Sequence, residues 1–297
     1  MEFEATMTTR LDFDLGPRPT PRAAKDVRVL VLTGHGLNCE AETAAGFTFA
    51  GATADTVHLG DLLERPTPRK RLEDYHLVAF VGGFSFGDHV ASGRVYSNRL
   101  RFRLGDDLAR FVDDGGLCLG ICNGFQTLVK LGLLPMLDRA KGSGLPAQSA
   151  TLVDNDRLGY RDAWIRLAVD EASPCVFTRG LGPILECPTR HGEGKLVFAS
   201  EAVQERVEEA HLIPVRYADA AGLPTERWPE NPNGSPGGAA GLCDVTGRVF
   251  GLMPHPDAYL YPENHPDWIA QGDRGERPLR GVGARLFENG VRAVLGS

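Results

Sequence analysis

Cys118-Leu119-Gly120-Ile121-Cys122-Asn123-Gly124-Phe125-Gln126 is the stretch from which the fold can be read. The apolar run from Leu117 to Gly120 predicts a strand leading in, and a helix is expected to lead out from Asn123. Cys122 falls at the bend, with Gly120 and Gly124 two residues away on either side. Small flanking residues permit a tight strand-to-helix turn that lifts one side chain above a sheet edge, the geometry of a nucleophile elbow. A helix N-terminus there favours a thiolate and aims backbone N–H groups at a developing oxyanion. Cys122 is therefore the candidate nucleophile, whereas Cys118, inside the strand, reads as a core residue.

Working outward, Val27 to Leu32 reads as a buried strand, followed by the loop Gly34-His35-Gly36-Leu37-Asn38-Cys39. Asn38 is the expected cap of a helix over Glu40 to Ala50. Ala54 to His58 and Leu77 to Val81 read as strands, and residues 98 to 114 as a helix. This alternation predicts an α/β fold: a doubly wound, mostly parallel sheet with helices on both faces. Loops at the carboxyl ends of such strands form the ligand crevice. Gly34 to Cys39, Gly82 to Gly87 and Cys122 all fall at such ends. Thr151 to Val153, Trp164 to Val169 and Ile184 to Cys187 read as short strands of a small antiparallel elaboration. Val249 to Met253 reads as a further strand, ending at Pro254-His255-Pro256-Asp257. Residues 1 to 26 contain Gly16-Pro17-Arg18-Pro19-Thr20-Pro21 and no apolar period, which predicts an extended tail and leaves 27–297 as the domain.

Composition narrows the function classes. A formal net charge of -7 without a basic run argues against a nucleic-acid partner. No apolar stretch is long enough to span a bilayer, and none near the start reads as a secretory signal. The six cysteines are scattered without paired metal-type spacing, so reduced thiols in a cytoplasmic protein and no metal site are expected.

A cysteine nucleophile needs a base, and the base needs an orienting group. His255 follows a strand, and Asp257 lies two positions on. With extended backbone through Pro256, both side chains project to one side. Gly82-Gly83 after a strand allows a backbone N–H to approach a substrate carbonyl and, with the N–H of Asn123, to form an oxyanion hole; a plain tight turn has the same sequence. This set implies acyl transfer through a thioester. Gly34-His35-Gly36 lacks the further glycine and lysine of a nucleotide loop, so no cofactor is expected on this chain.

Together these residues resemble the class I (triad) glutamine amidotransferases. Further stretches are similar to the glutaminase subunits of phosphoribosylformylglycinamidine synthase: Gly36-Leu37-Asn38-Cys39-Glu40, Gly82 to Asp88, His191-Gly192-Glu193-Gly194, Arg216-Tyr217, Asn231-Pro232-Asn233-Gly234-Ser235 and Gly251 to Pro256. The resemblance implies a flavodoxin-like fold and hydrolysis of glutamine to glutamate and ammonia. It also implies ammonia transfer to a synthetase subunit, where ATP and Mg would be held, with room for a small accessory subunit. By the same carry-over Cys122 is the nucleophile, His255 the base, Gly83 and Asn123 the oxyanion donors, and Gln126 a glutamine-binding residue. The polar stretches His191 to Gly194 and Asn231 to Ser235 read either as partner- or channel-facing loops or as ordinary turns.

The chain departs from that family in two places. The family's triad carboxylate is glutamate in a His-Pro-Glu sequence, and here it is Asp257, with Glu263 as the alternative if its loop folds back. The segment Tyr259 to Trp268 extends the usual ending with aromatic and proline residues. Two other readings follow from these departures: a paralogue that feeds a different ligase, and a scaffold with a silenced triad.

Overall fold

The computed structural model describes residues 20–63 and 70–296. In chain order, strand β1 (Arg28–Thr33) is followed by helix α1 (Glu40–Phe49), β2 (Thr53–His58), the short α2 (Leu59–Leu63), β3 (Leu77–Phe80), α3 (Arg94–Asp113), β4 (Leu117–Ile121) and α4 (Asn123–Lys130). Then come β5 (Ala150–Asp154), β6 (Arg161–Val169), β7 (Ile184–His191), β8 (Glu193–Phe198), α5 (Glu201–Glu209) and β9 (Val215–Ala218). The chain closes with β10 (Gly241–Cys243), β11 (Val249–Leu252), α6 (Trp268–Asp273) and α7 (Val282–Leu295).

The central sheet runs β10-β11-β4-β3-β1-β2, and only the β10–β11 pair is antiparallel. Omitting β10, this is the flavodoxin-like order. β3 and β4 are wholly buried and β1 nearly so, as continuous apolar runs covered on both faces require. The crossover through α1 runs outward from β1 to β2, and the one through α3 runs the other way from β3 to β4. Right-handed crossovers therefore place these helices on opposite faces. On the α1 side, Phe47 meets Phe287 of α7 edge to face, with ring centroids 4.9 Å apart.

A two-stranded sheet (β5-β8) and a three-stranded one (β7-β6-β9), both antiparallel, form the elaboration. β7 is tied to the main sheet where the His255 N–H donates to the Pro188 carbonyl (2.7 Å) and Thr189 bridges Pro254. The elaboration thus carries Arg190 to Glu193 to the carboxyl edge of the central strands.

Several local expectations change. Cys39, not Asn38, is the N-cap of α1, and no side chain caps that helix. α3 starts at Arg94, because its buried stripe already begins at Tyr96 and continues through Leu100, Leu104 and Leu108. His191 to Gly194 is no free loop: it joins β7 to β8 and carries buried residues. In the 231–235 stretch Asn231, Asn233 and Ser235 are buried and knit to one another and to Tyr217, so turn chemistry explains them. Most of the expected tail, 1–19, lies outside the described residues. The end of that span forms a 3-10 turn, Ala24–Asp26, with Ala24 packed on the core.

Candidate active site

β4 delivers Cys122 to the N-cap of α4 with φ 51° and ψ −107°, a left-handed conformation that costs a non-glycine residue energy. The neighbouring glycines make the turn possible. A Cβ on Gly124 would lie 1.9 Å from the Phe80 carbonyl oxygen, and one on Gly120 would lie 2.7 Å from the Gly124 oxygen. Cys122 is 8% exposed, and its thiol faces the Arg190 carbonyl at 3.6 Å. The first N–H groups of α4 have no intrahelical partners, so Asn123 presents a donor beside the sulfur. Gly83, at φ 137°, and Cys122 line the same cavity of about 230 Å³, below the ~300–1,000 Å³ typical of drug-sized ligands.

His255 follows β11 and lines this cavity beside β7, the strand that carries Arg190. Its Nδ1 lies 3.2 Å from Asp257 Oδ1, and the other carboxylate oxygen accepts from the Thr43 hydroxyl at 3.3 Å. The backbone through Pro256 is not extended: Pro256–Ala258 is a 3-10 turn, and this tight turn brings the short aspartate under the ring. Glu263 sits exposed on another turn, Pro262–Asn264. Burial disfavours the imidazolium of His255, but the Asp257 carboxylate, its hydrogen bond and the polar contacts of the Cys122 and Cys39 thiols outweigh burial. They hold the pKa well above the ordinary value. Nε2 is buried without a hydrogen-bond partner and is available to a group in the cavity.

Gln126 lines the cavity with its amide engaged: Nε2 donates to the Glu193 carbonyl (2.5 Å), and Oε1 accepts from Asn123 Nδ2 (3.1 Å). The Asn123 amide also donates to Asp88 (3.1 Å). Burial raises the Asp88 pKa, hydrogen bonds from Ser92, Asn123 and Gly93 oppose the rise, and the nearby Glu193 charge adds to it. Asp88 and Glu193 thus place two carboxyl groups on one side of the pocket, with Arg190 and Tyr160 at its rim. The structure brings together Cys122, His255, Asp257, Gly83, Asn123 and Gln126.

Sequence reasoning did not assign Thr43, Tyr160, Arg190 or a separate role for Cys39. Thr43 is separated from Asp257 by 214 positions, so no local spacing links them. Cys39 ends the loop after β1, and its half-buried sulfur lies against the His255 ring. Apart from His255, only His191 among the histidines lines the cavity.

The family profile of the CobB/CobQ-like glutamine amidotransferase domain matches residues 26–294. The subunit PurQ of phosphoribosylformylglycinamidine synthase from Dehalococcoides mccartyi is 39% identical over 266 residues, covering 90% of this chain and 97% of the relative. This chain belongs to the PurQ family of glutamine amidotransferases. The subunit from Methanococcus maripaludis is 40% identical over 251 residues, covering 84% of this chain and 89% of that one. Among solved structures, PurLQS from Thermotoga maritima contains a chain similar at TM-score 0.65 and 25% identity, covering 90% of this chain and 98% of that one. Family membership and sheet order agree: the elbow, the imidazole and the Gly-Gly loop all stand at the carboxyl edge that this fold uses for ligands.

Proposed function

We propose that the chain hydrolyses glutamine on Cys122 and supplies the ammonia to a synthetase subunit that converts formylglycinamide ribonucleotide to the amidine in purine biosynthesis. The observation that supports this most directly is the strained Cys122 at the α4 N-terminus, facing a histidine whose Nδ1 is held by Asp257.

The Cys122 sulfur attacks the side-chain amide carbonyl of glutamine while its proton passes to His255 Nε2. The N–H groups of Gly83 and Asn123 hold the oxyanion. The C–N bond breaks, the leaving nitrogen takes the proton from His255, and ammonia departs from a thioester. Water, deprotonated by His255, then attacks the thioester carbonyl, and glutamate leaves as the thiol is restored. The carboxylates of Asp88 and Glu193 suit the α-ammonium group of the substrate, and Gln126 fixes the wall that carries them. ATP and Mg belong to the synthetase, together with any accessory subunit, and this chain needs no cofactor of its own.

Purified chain, alone and with its synthetase, is assayed for glutamate release and for amidine formation. Glutamate release that is stimulated by the synthetase and abolished in Cys122→Ala is expected. Undiminished release in Cys122→Ala would overturn the mechanism. Active glutaminase with no amidine product would instead support the paralogue feeding another ligase.

A further inference from the structure

We infer that Cys39, Cys122 and His255 form a binding site for a thiophilic divalent cation, with Zn²⁺ as the fitting ion, and that its occupancy blocks the glutamine pocket. The site rests on the same cavity as the proposed function, but it concerns binding rather than turnover.

Three observations carry this inference. The ligating atoms of Cys39, His255 and Asp257 all lie within 4.8 Å of one another. A tetrahedral zinc with Zn–S near 2.3 Å and Zn–N near 2.0 Å holds neighbouring ligand atoms about 3.5–3.8 Å apart, so a movement of roughly 1 Å brings Cys39 and His255 to the spacing of a shared ion. The Cys39 and Cys122 sulfurs line one cavity with His255, and both approach its ring. His255 is 4% exposed, and its Nε2 has no hydrogen-bond partner.

The outer shell is also built. A metal-ligating histidine ordinarily gives its second ring N–H to a carboxylate. Asp257 already occupies that position on Nδ1, with Thr43 on its other oxygen. Asp257 is therefore the orienting group and not a third direct ligand. Two thiolates and one imidazole leave the fourth position open to the cavity, where water completes the tetrahedron. Binding displaces the protons on both sulfurs and the proton that His255 Nε2 carries in its charged form, and leaves the cluster neutral, which suits a buried site. Sequence spacing gave no sign of it, because the ligands come from the loop after β1, the elbow after β4 and the turn after β11.

The test uses the reduced full chain. Co²⁺ is added and the thiolate-to-cobalt charge-transfer absorption is read; Zn²⁺ affinity is then measured by competition with a chromophoric chelator. One ion per chain, a thiolate-cobalt band and loss of glutamate release that a chelator restores are expected. Cys39→Ser should weaken Zn²⁺ binding by at least the ~10–100-fold that loss of an outer-shell partner alone costs. Its residual hydrolysis, at whatever level, should be correspondingly less sensitive to zinc. A circular-dichroism melt confirms that the variant is folded. Equal zinc affinity in Cys39→Ser, or no thiolate-cobalt band in the parent chain, overturns the inference. Because the spectroscopic readout needs no glutamine, a failure of the glutaminase reading would leave it standing.

Discussion

Acidification protonates His191 in the unfolded chain long before it does so in the folded one. The ring is 1% exposed, its Nδ1 faces Asn155 Oδ1 at 3.2 Å, and its Nε2 has no hydrogen-bond partner. Burial disfavours the imidazolium and the positive charge of His255 adds to this, so the pKa falls from 6.5 to about 3. Below the unfolded value the unfolded chain takes up a proton that the folded chain refuses, and stability is lost as pH falls from that value towards about 3. The two pKa values give a total loss of about 5 kcal/mol, of which about 2 kcal/mol falls between pH 7 and pH 5. His255 contributes with the opposite sign: its raised pKa gives stability that is present at low pH and lost as pH rises through the folded value. The comparison is therefore made against His191→Gln, which removes the titrating group and keeps an amide opposite Asn155. Urea unfolding of both proteins at pH 7 and pH 5 isolates the contribution of His191. The parent should lose about 2 kcal/mol more than the variant on acidification. Unfolding curves that shift in parallel, or an NMR titration placing the folded His191 ring near the ordinary histidine value, would refute the reasoning.

Other perturbations probe the elbow and its surroundings. Burial, with the Arg94 charge adding, lowers the Lys130 pKa to about 8 against the pull of Glu193 and Asp88, and its Nζ has no partner. The fold bears that cost below about pH 8, so Lys130→Met should raise stability at pH 7 by up to about 3 kcal/mol, read by thermal unfolding; a drop would contradict it. Because Cys122 holds a left-handed φ, Cys122→Gly should be more stable than Cys122→Ala by about 1 kcal/mol, although both are inactive. The reverse order in calorimetry would mean that the turn stores no strain. Asp257→Asn should lower kcat by at least ~10²-fold, given the ~10⁴ seen when a serine-protease triad loses its carboxylate. An unchanged kcat would remove Asp257 from the mechanism.

Much of the sheet was legible because its strands are buried on both faces and stand out as apolar runs between glycines. The elbow was legible for a different reason: two glycines bracketing a cysteine are demanded by contacts as close as 1.9 Å. The elaboration was harder to read. β8 carries Glu193 and Lys195 on its polar side, and β9 is only four residues long, so neither produces a strong period. Within the site, His255 and Asp257 were legible because they are near neighbours in sequence. Thr43, Arg190 and the placement of Cys39 depend on how separate loops converge, and that information lies in tertiary packing rather than in local spacing.

That convergence also bears on Asp257, which stands where the resemblance drawn from the sequence implies a glutamate. A longer side chain suits a backbone that passes the ring at a distance. Here the backbone turns beneath the ring at once, because Pro256 opens a 3-10 turn directly after His255. The turn is clamped from below by α7, where Gly283 comes so near that a Cβ would lie 2.0 Å from the Pro256 oxygen. From above, the Thr43 hydroxyl of α1 holds the second carboxylate oxygen. With Asp257 3% exposed, an added methylene has no free space to enter and would have to push the ring or the turn. The short side chain suits this tight turn, and Asp257→Glu is expected to be poorly tolerated unless the turn shifts.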